Sequence, residues 1–431
     1  MVIIAVLVLL LLLLFVGMPV AFALGISGIV GMYFTSGFDG VYSLLYTVPY
    51  RTAASYTMTV IPMFVLMAQA VSHSGLVGHV FEAARRWLER LPAGMAIAAI
   101  LSSAGVAAMS GSSVASAATT ASIAIPEMKK SGYKTHVAAG VVTVAGTLAI
   151  MIPPSVGLVI YGVITENSIG QMLIAGVIPG IMTALVYISG VILWQKFSPM
   201  SMPPVTSRYS WAQRFHSLKP IWPFMALVLM VIGSIYLGWA TVTEAASVGA
   251  LGAIGIPIIQ GRMAFRDVVP AVIRTLEITT MIFAIIIGAM IFGYFLTMTQ
   301  TPNRLILLIS AMNLPAWFVL MLFLAILMIL GLMLDQLAIV LITLPLMYPV
   351  VIDLGYHPIW FGIIVVKVAE IGLVTPPVGM NAYVVSATTG IPLEKVFRGV
   401  GVMLLFELIT LALLLSFPVL ATWLPSLMLL R

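Results

Sequence analysis

The chain contains no cysteine and almost no charge. Without cysteine there are no disulfides, no thiol chemistry and no cysteine-ligated metals, and the redox compartment is left undefined. Only 7% of the 431 residues are charged, 62% are hydrophobic, and the mean hydropathy is +1.19. A soluble domain carries about a quarter charged residues, so the composition excludes that class and makes this an integral membrane protein. Long polar stretches are also missing, so no separate soluble domain is expected and the function must lie within the bilayer. The net charge of +6 comes from 19 Lys and Arg set mainly in short loops, a pattern that orients helices in a membrane and does not point to nucleic acid. The opening "MVIIAVLVLLLLLLFVG" lacks the basic start of a secretory signal and reads as a retained helix.

What is present is a repeat. "IPEMKKSGY" and "YPVVIDLGY" place Pro126, Gly132 and Tyr133 each 223 residues before Pro349, Gly355 and Tyr356, and the same spacing relates Pro153 and Pro154 to Pro376 and Pro377. Gly25, Gly28 and Gly31 recur 224 residues later as Gly249, Gly252 and Gly255. Two homologous halves follow, 1–200 and 220–431, joined by a connector at 201–219.

Basic residues set the orientation. Arg85, Arg86 and Arg90 precede the segment 93–126, and Lys129, Lys130 and Lys134 follow it, so both flanks are expected in the cytoplasm. Its arms, 93–108 and 114–126, would be about 24 and 20 Å long, short of the roughly 30 Å hydrocarbon core. A re-entrant hairpin is expected. Its counterpart, 316–350, has no Lys or Arg cluster at its flanks and should enter from the opposite face. Lys196, Arg208, Arg214 and Lys219, then Arg262, Arg266 and Arg274, then Lys395 and Arg398 mark further cytoplasmic loops, and counting crossings puts the N-terminus outside. The expected fold is therefore an all-α polytopic membrane protein of two inverted-topology repeats. The first has scaffold helices in 1–92, a hairpin at 93–126 and a broken helix at 136–165. The second has scaffold helices in 220–300, a hairpin at 316–350, a broken helix at 358–390 and a final helix at 400–424.

Irregular backbone at membrane depth persists where it lines a cavity or binds something. Each half has two such breaks: "SGSS" with "MIPPSVG", and "GLMLDQ" with "LVTPPVGMN". A Pro-Pro pair deletes two N–H donors and frees the preceding carbonyls, which are hard oxygen ligands. Ser110, Gly111, Ser112 and Ser113 facing Met151, Ile152, Pro153 and Pro154 form one candidate sodium site. Gly331, Asp335 and Gln336 facing Thr375, Pro376, Gly379 and Asn381 form the second. Candidate substrate contacts are Ser112, Ser155, Asp335, Asn381 and Arg304, the last equally suited to an interfacial role beside Pro302 and Asn303. Lys367 and Glu370, three apart on one helix, are placed to neutralise each other. Glu244 reads as a charge at a helix start.

At these residues the chain resembles the large membrane subunit of tripartite ATP-independent periplasmic (TRAP) transporters, unfused form. The resemblance runs through "GMPVAFALG", "IPMFVLMAQ", "SGSS", "IPPS", "ATVTEAASVGALGA", "GLMLD" and, most specifically, "EIGLVTPPVGMNAYVV". It implies an elevator-type transporter in the bacterial inner membrane, carrying an organic acid such as a C4-dicarboxylate, a sialic acid or another sugar acid. It further implies sodium as the coupling ion with no other cofactor, a small four-helix membrane subunit, and a periplasmic substrate-binding protein.

Other classes fit less well. The five histidines, His73, His79, His136, His216 and His357, fall in or beside loops away from Ser112, which leaves a serine hydrolase without a base. A channel filter ordinarily arises from oligomeric symmetry and does not call for repeats within one chain. The rival reading is a stand-alone sodium/dicarboxylate symporter or ion antiporter of similar hairpin architecture.

Overall fold

The computed structural model describes residues 2–203 and 209–429, without the side chains of Met109, Ser110 and Leu429; Arg208 lies outside the described residues. Among the described residues the chain is helical and contains no strand. Helices α1 (Val2–Phe15) and α2 (Val20–Ala53) open it, the second kinked at Gly37, whose φ of 68° a residue with a Cβ adopts poorly. A bent pair, α3 (Val60–His73) and α4 (Leu76–Leu88), turns through 69° with its preceding 3₁₀ turn, and Arg85 and Arg86 on α4 bind Glu82 one turn away.

The first hairpin is α5 (Gly94–Ser110) and α6 (Ser113–Lys130), reversing at Gly111 and Ser112. Its second arm runs through Pro126 to Lys130, and Glu127 is held there by Arg85 and Lys130. The first broken helix is α7 (Thr135–Ala145) with α8 (Leu148–Met151), then, after Pro153 and Pro154, α9 (Val156–Ile164) at 41° to them. Next come α10 (Ile169–Ala175), α11 (Val177–Phe197) and, in the connector, the short amphipathic α12 (Trp211–Leu218).

The second half continues with α13 (Trp222–Tyr236), α14 (Val242–Ile259), the 34-residue α15 (Phe265–Met298) and α16 (Thr301–Ala311). Thr241 and Glu244 close a reciprocal capping box at the start of α14, so Glu244 serves the helix end. The second hairpin is α17 (Ala316–Gly331) and α18 (Gln336–Asp353); the second broken helix is α19 (Pro358–Val374) and α20 (Met380–Thr389). The chain ends with α21 (Leu393–Ser416) and α22 (Val419–Leu429).

The spacing of 223 seen in sequence is also a spacing of helix boundaries. Helix α6 begins at Ser113 and ends at Lys130; α18 begins at Gln336 and ends at Asp353. The stretch from Thr135 to Met151, covering α7 and α8, is matched by Pro358–Val374 of α19.

Among the described residues six helices are long and apolar enough to cross a membrane, or up to nine if each of three bent pairs is one span. The outward faces agree: Phe34, Phe38, Tyr42 and Tyr46 on α2 and Leu276 on α15 are exposed, as lipid permits and water does not. Two apolar cores lie inside. One joins α2, α3, α14, α15, α17, α18 and α19. The other is rich in alanine and binds α5, α6 and α7 to α20 and α21. Alanine and glycine allow close approach there: a Cβ on Gly140 of α7 would collide with the backbone of Gly399 on α21. The helical ends between these cores form the site.

Candidate functional site

Each of the four breaks starts a new helix, and three of those starts have a side-chain cap. A helix N-terminus leaves backbone N–H groups without partners, which Ser or Asp satisfies and which in lipid would be costly. Ala115 N donates to Ser112 Oγ at 3.4 Å, Leu158 N to Ser155 Oγ at 3.3 Å, and Ala338 N to Asp335 Oδ1 at 2.8 Å. At α20 the turn is made by Gly379, with φ 58°. Ser112 and Asp335, 223 residues apart, thus cap equivalent hairpin arms.

Three of these N-termini line one cavity of about 510 Å³. Its wall includes Gly111, Ser112 and Ser113 from the first tip, Val156 and Gly157 from α9, and Asp335, Gln336 and Leu337 from the second tip. The helix macrodipole makes such ends electropositive and suits them to anions. Arg274 of α15 lines the same cavity. Its side chain remains 61% exposed while Nη1 donates to Glu277 Oε2 at 2.7 Å, so its charge is shared but accessible.

Of the candidate residues, Gly111, Ser112, Ser113, Asp335 and Gln336 line this cavity. A Cβ added at Gly111 would stand 2.9 Å from the carbonyl oxygen of Pro154, so the first tip faces the first Pro break. One added at Gly331 would stand 2.9 Å from Gly372 Cα, which sets the second hairpin against α19 beside the second break. Two contacts cross between these pairs. The Gln336 amide packs against Gly157, and Asn381 Nδ2 donates to Ser113 Oγ at 2.5 Å. The two candidate sites are therefore joined by direct contacts. Met151, Pro153, Pro154, Ser155 and Asn381 are buried, Ile152 and Thr375 half-buried, and Pro376 exposed. Thr375 Oγ1 donates back to Ile371 O at 2.5 Å. The Ser110 side chain lies outside the described residues.

Arg304 is exposed on α16 and is not among the residues lining the cavity. Arg274 is, with Gln69 and Ser72 of α3. Sequence reasoning placed Arg274 in a loop, although nine residues of helix precede it in α15. The paired Arg274 and Glu277, and polar Gln69 and Ser72 three apart in an apolar run, were the available signals.

The donor set suits an alkali cation. It comprises hydroxyl, carboxylate and backbone carbonyl oxygens, and the Pro pairs remove donors from carbonyls such as those of Ala149 and Ile150 four residues earlier. Among the described residues no group of three or more His, Cys, Asp or Glu is placed to hold a metal.

Behind the site lies a buried ionic network. Lys367 Nζ pairs with Glu407 of α21, and both side chains are fully buried. Thr147 Oγ1 lies 2.8 Å from Glu407 Oε1 and 2.9 Å from the Tyr187 hydroxyl, and Lys367 Nζ sits 5.7 Å from the Tyr187 ring centre. Lys367 is therefore paired across helices and not with Glu370: α19 is buried on every side, and its lysine reaches a neighbouring helix.

Comparison with known proteins assigns this architecture. The model of the "Tripartite ATP-independent periplasmic transporter, DctM component" family matches residues 7–420. The C4-dicarboxylate TRAP transporter large permease protein DctM of Pseudomonas aeruginosa is 35% identical over 94% of both chains. The sialic acid TRAP transporter large permease protein SiaM of Vibrio cholerae is 28% identical over 97% of both. The Alcanivorax borkumensis YdaH transporter shares the fold, with TM-score 0.60 and 15% identity over 90% of this chain and 89% of that one. This multi-pass membrane protein belongs to the DctM family of tripartite ATP-independent periplasmic transporters and is a transporter subunit.

Proposed function

We propose that the chain imports an organic acid across the bacterial inner membrane by sodium-coupled elevator motion of two inverted repeats. The observation carrying this reading is the convergence of three capped helix N-termini and Arg274 on one cavity between the two hairpin tips. Electropositive helix ends hold a carboxylate while freed carbonyls beside them hold sodium, the division of labour found where transporter helices are broken. Ser112 and Asp335 stand between the two functions, capping helices and facing the cavity. Ser110, Gly111, Ser113 and the carbonyls of Met151 to Pro154 serve one ion; Gly331, Asp335, Gln336, Thr375, Pro376, Gly379 and Asn381 serve the other.

The hairpins and broken helices move together, and the long helices α2 and α15 stay fixed. A small four-helix membrane subunit grips the fixed part, and a periplasmic binding protein delivers the substrate. C4-dicarboxylates and sialic acids, named for two relatives, are the first acids to try. The test is uptake into proteoliposomes holding this chain and its small subunit, with binding protein outside and an imposed sodium gradient. Accumulation that collapses without sodium or without binding protein is expected. Sodium-driven uptake that ignores the binding protein would instead identify a stand-alone symporter.

A further inference from the structure

We propose that Glu370, together with Ser113 and Asn381, forms an additional monovalent-cation site at the crossing of the first hairpin with the second broken helix. Glu370 is fully buried on α19, and neither carboxylate oxygen has a hydrogen-bond partner. Asn381 on α20 is equally buried, and its Oδ1 is likewise unpartnered while its Nδ2 donates to Ser113 Oγ. Glu370 stands beside that same hydroxyl without reaching hydrogen-bond geometry. The two Glu370 oxygens and Asn381 Oδ1 are therefore left without donors beside the Ser113 hydroxyl, whose oxygen accepts from Asn381 Nδ2.

The surrounding charges leave one positive charge wanting. The ionisable groups facing Glu370 are Glu407 and Lys367, with the Tyr187 phenol beyond. Lys367 is committed to Glu407, so that pair is neutral and Glu370 is left over. A buried carboxylate with neither counter-charge nor donor is strongly unfavourable. A monovalent cation supplies the charge and accepts the oxygens as ligands, and a hard alkali ion matches carboxylate, amide and hydroxyl donors. The ion would tie the first hairpin tip to both halves of the second broken helix. Ser113 also borders the cavity, so this site sits directly behind it.

The inference rests on the reading that the chain binds sodium; Ser113 and Asn381 are shared with the two sites of that reading, and Glu370 is the ligand it does not use. The experiment counts ²²Na bound to the purified chain with its small subunit, for wild type, Asp335→Asn, Glu370→Gln and the double variant, alongside the sodium-induced rise in melting temperature. Each single variant should lose about one ion per chain and the double about two, with a smaller thermal shift at each step. Glu370→Asp, which keeps the charge but withdraws it, should bind with several-fold weaker affinity, and it replaces the Gln variant if that one fails to fold. Unchanged stoichiometry in folded Glu370→Gln, or unchanged affinity in Glu370→Asp, overturns this site while leaving the sodium-coupled reading intact. No sodium bound by wild type overturns both.

Discussion

Asp335 has two roles that substitution can separate. Its Oδ1 caps α18 through Ala338 N, and the residue lines the cavity. Asn keeps an acceptor and loses the charge, so Asp335→Asn should retain the melting temperature and lose sodium-driven uptake. Asp335→Ala removes the cap as well and should cost a further ~1 kcal/mol of stability. Equal uptake by wild type and Asp335→Asn would reduce the residue to a helix cap. The Lys367 and Glu407 pair obeys a different rule. Removing one partner of a buried pair strands a charge, at about 3–5 kcal/mol, whereas replacing both with apolar residues can be nearly neutral. Lys367→Met should therefore unfold far more readily in detergent than Lys367→Met combined with Glu407→Leu. Similar melting of the two variants would mean the pair contributes nothing as a pair.

At the scale of elements, the hairpin makes a topological prediction. Arg90 and Lys130 are exposed at the two ends of the α5–α6 hairpin, and the chain offers no native thiol to confuse labelling. Cysteines introduced singly at Arg90 and Lys130 should react with an impermeant maleimide from the same, cytoplasmic, side. Labelling from opposite sides would turn the hairpin into a pair of full crossings. The turn at Ser112 and the breaks at Pro153 and Pro376 were legible in sequence because local chemistry makes them: Ser and Asp cap, Gly turns and Pro cannot donate. What faces each break was not. The Asn381 to Ser113 bond spans 268 residues and the Lys367 to Glu407 pair joins two helices, so neither leaves a periodic mark. Arg304 and Arg274 look alike in sequence; only the packing of α15 beside the second hairpin arm brings the latter to the cavity.

The whole molecule should work by sliding one part past another, and one contact is suited to arresting it. Helix α15 crosses α18 at Gly293, where a Cβ would stand 3.6 Å from that of Pro345. That separation lies within the range disulfides use, about 3.5–4.5 Å. Gly293→Cys with Pro345→Cys should cross-link under oxidation, stop uptake, and recover it on reduction. Undiminished uptake by the cross-linked protein would mean that α18 does not travel along α15. The length of α15 carries a separate consequence. Thirty-four residues of helix extend about 51 Å, beyond even the ~40–45 Å of a bilayer with its headgroups. Such a rod must lean or overhang, and it does so packed along α2. Bilayer thickness thereby sets the lean of α15: a thicker membrane stands it more upright, a thinner one lays it over, and the surface that α15 presents to the second hairpin is re-inclined by the lipid itself.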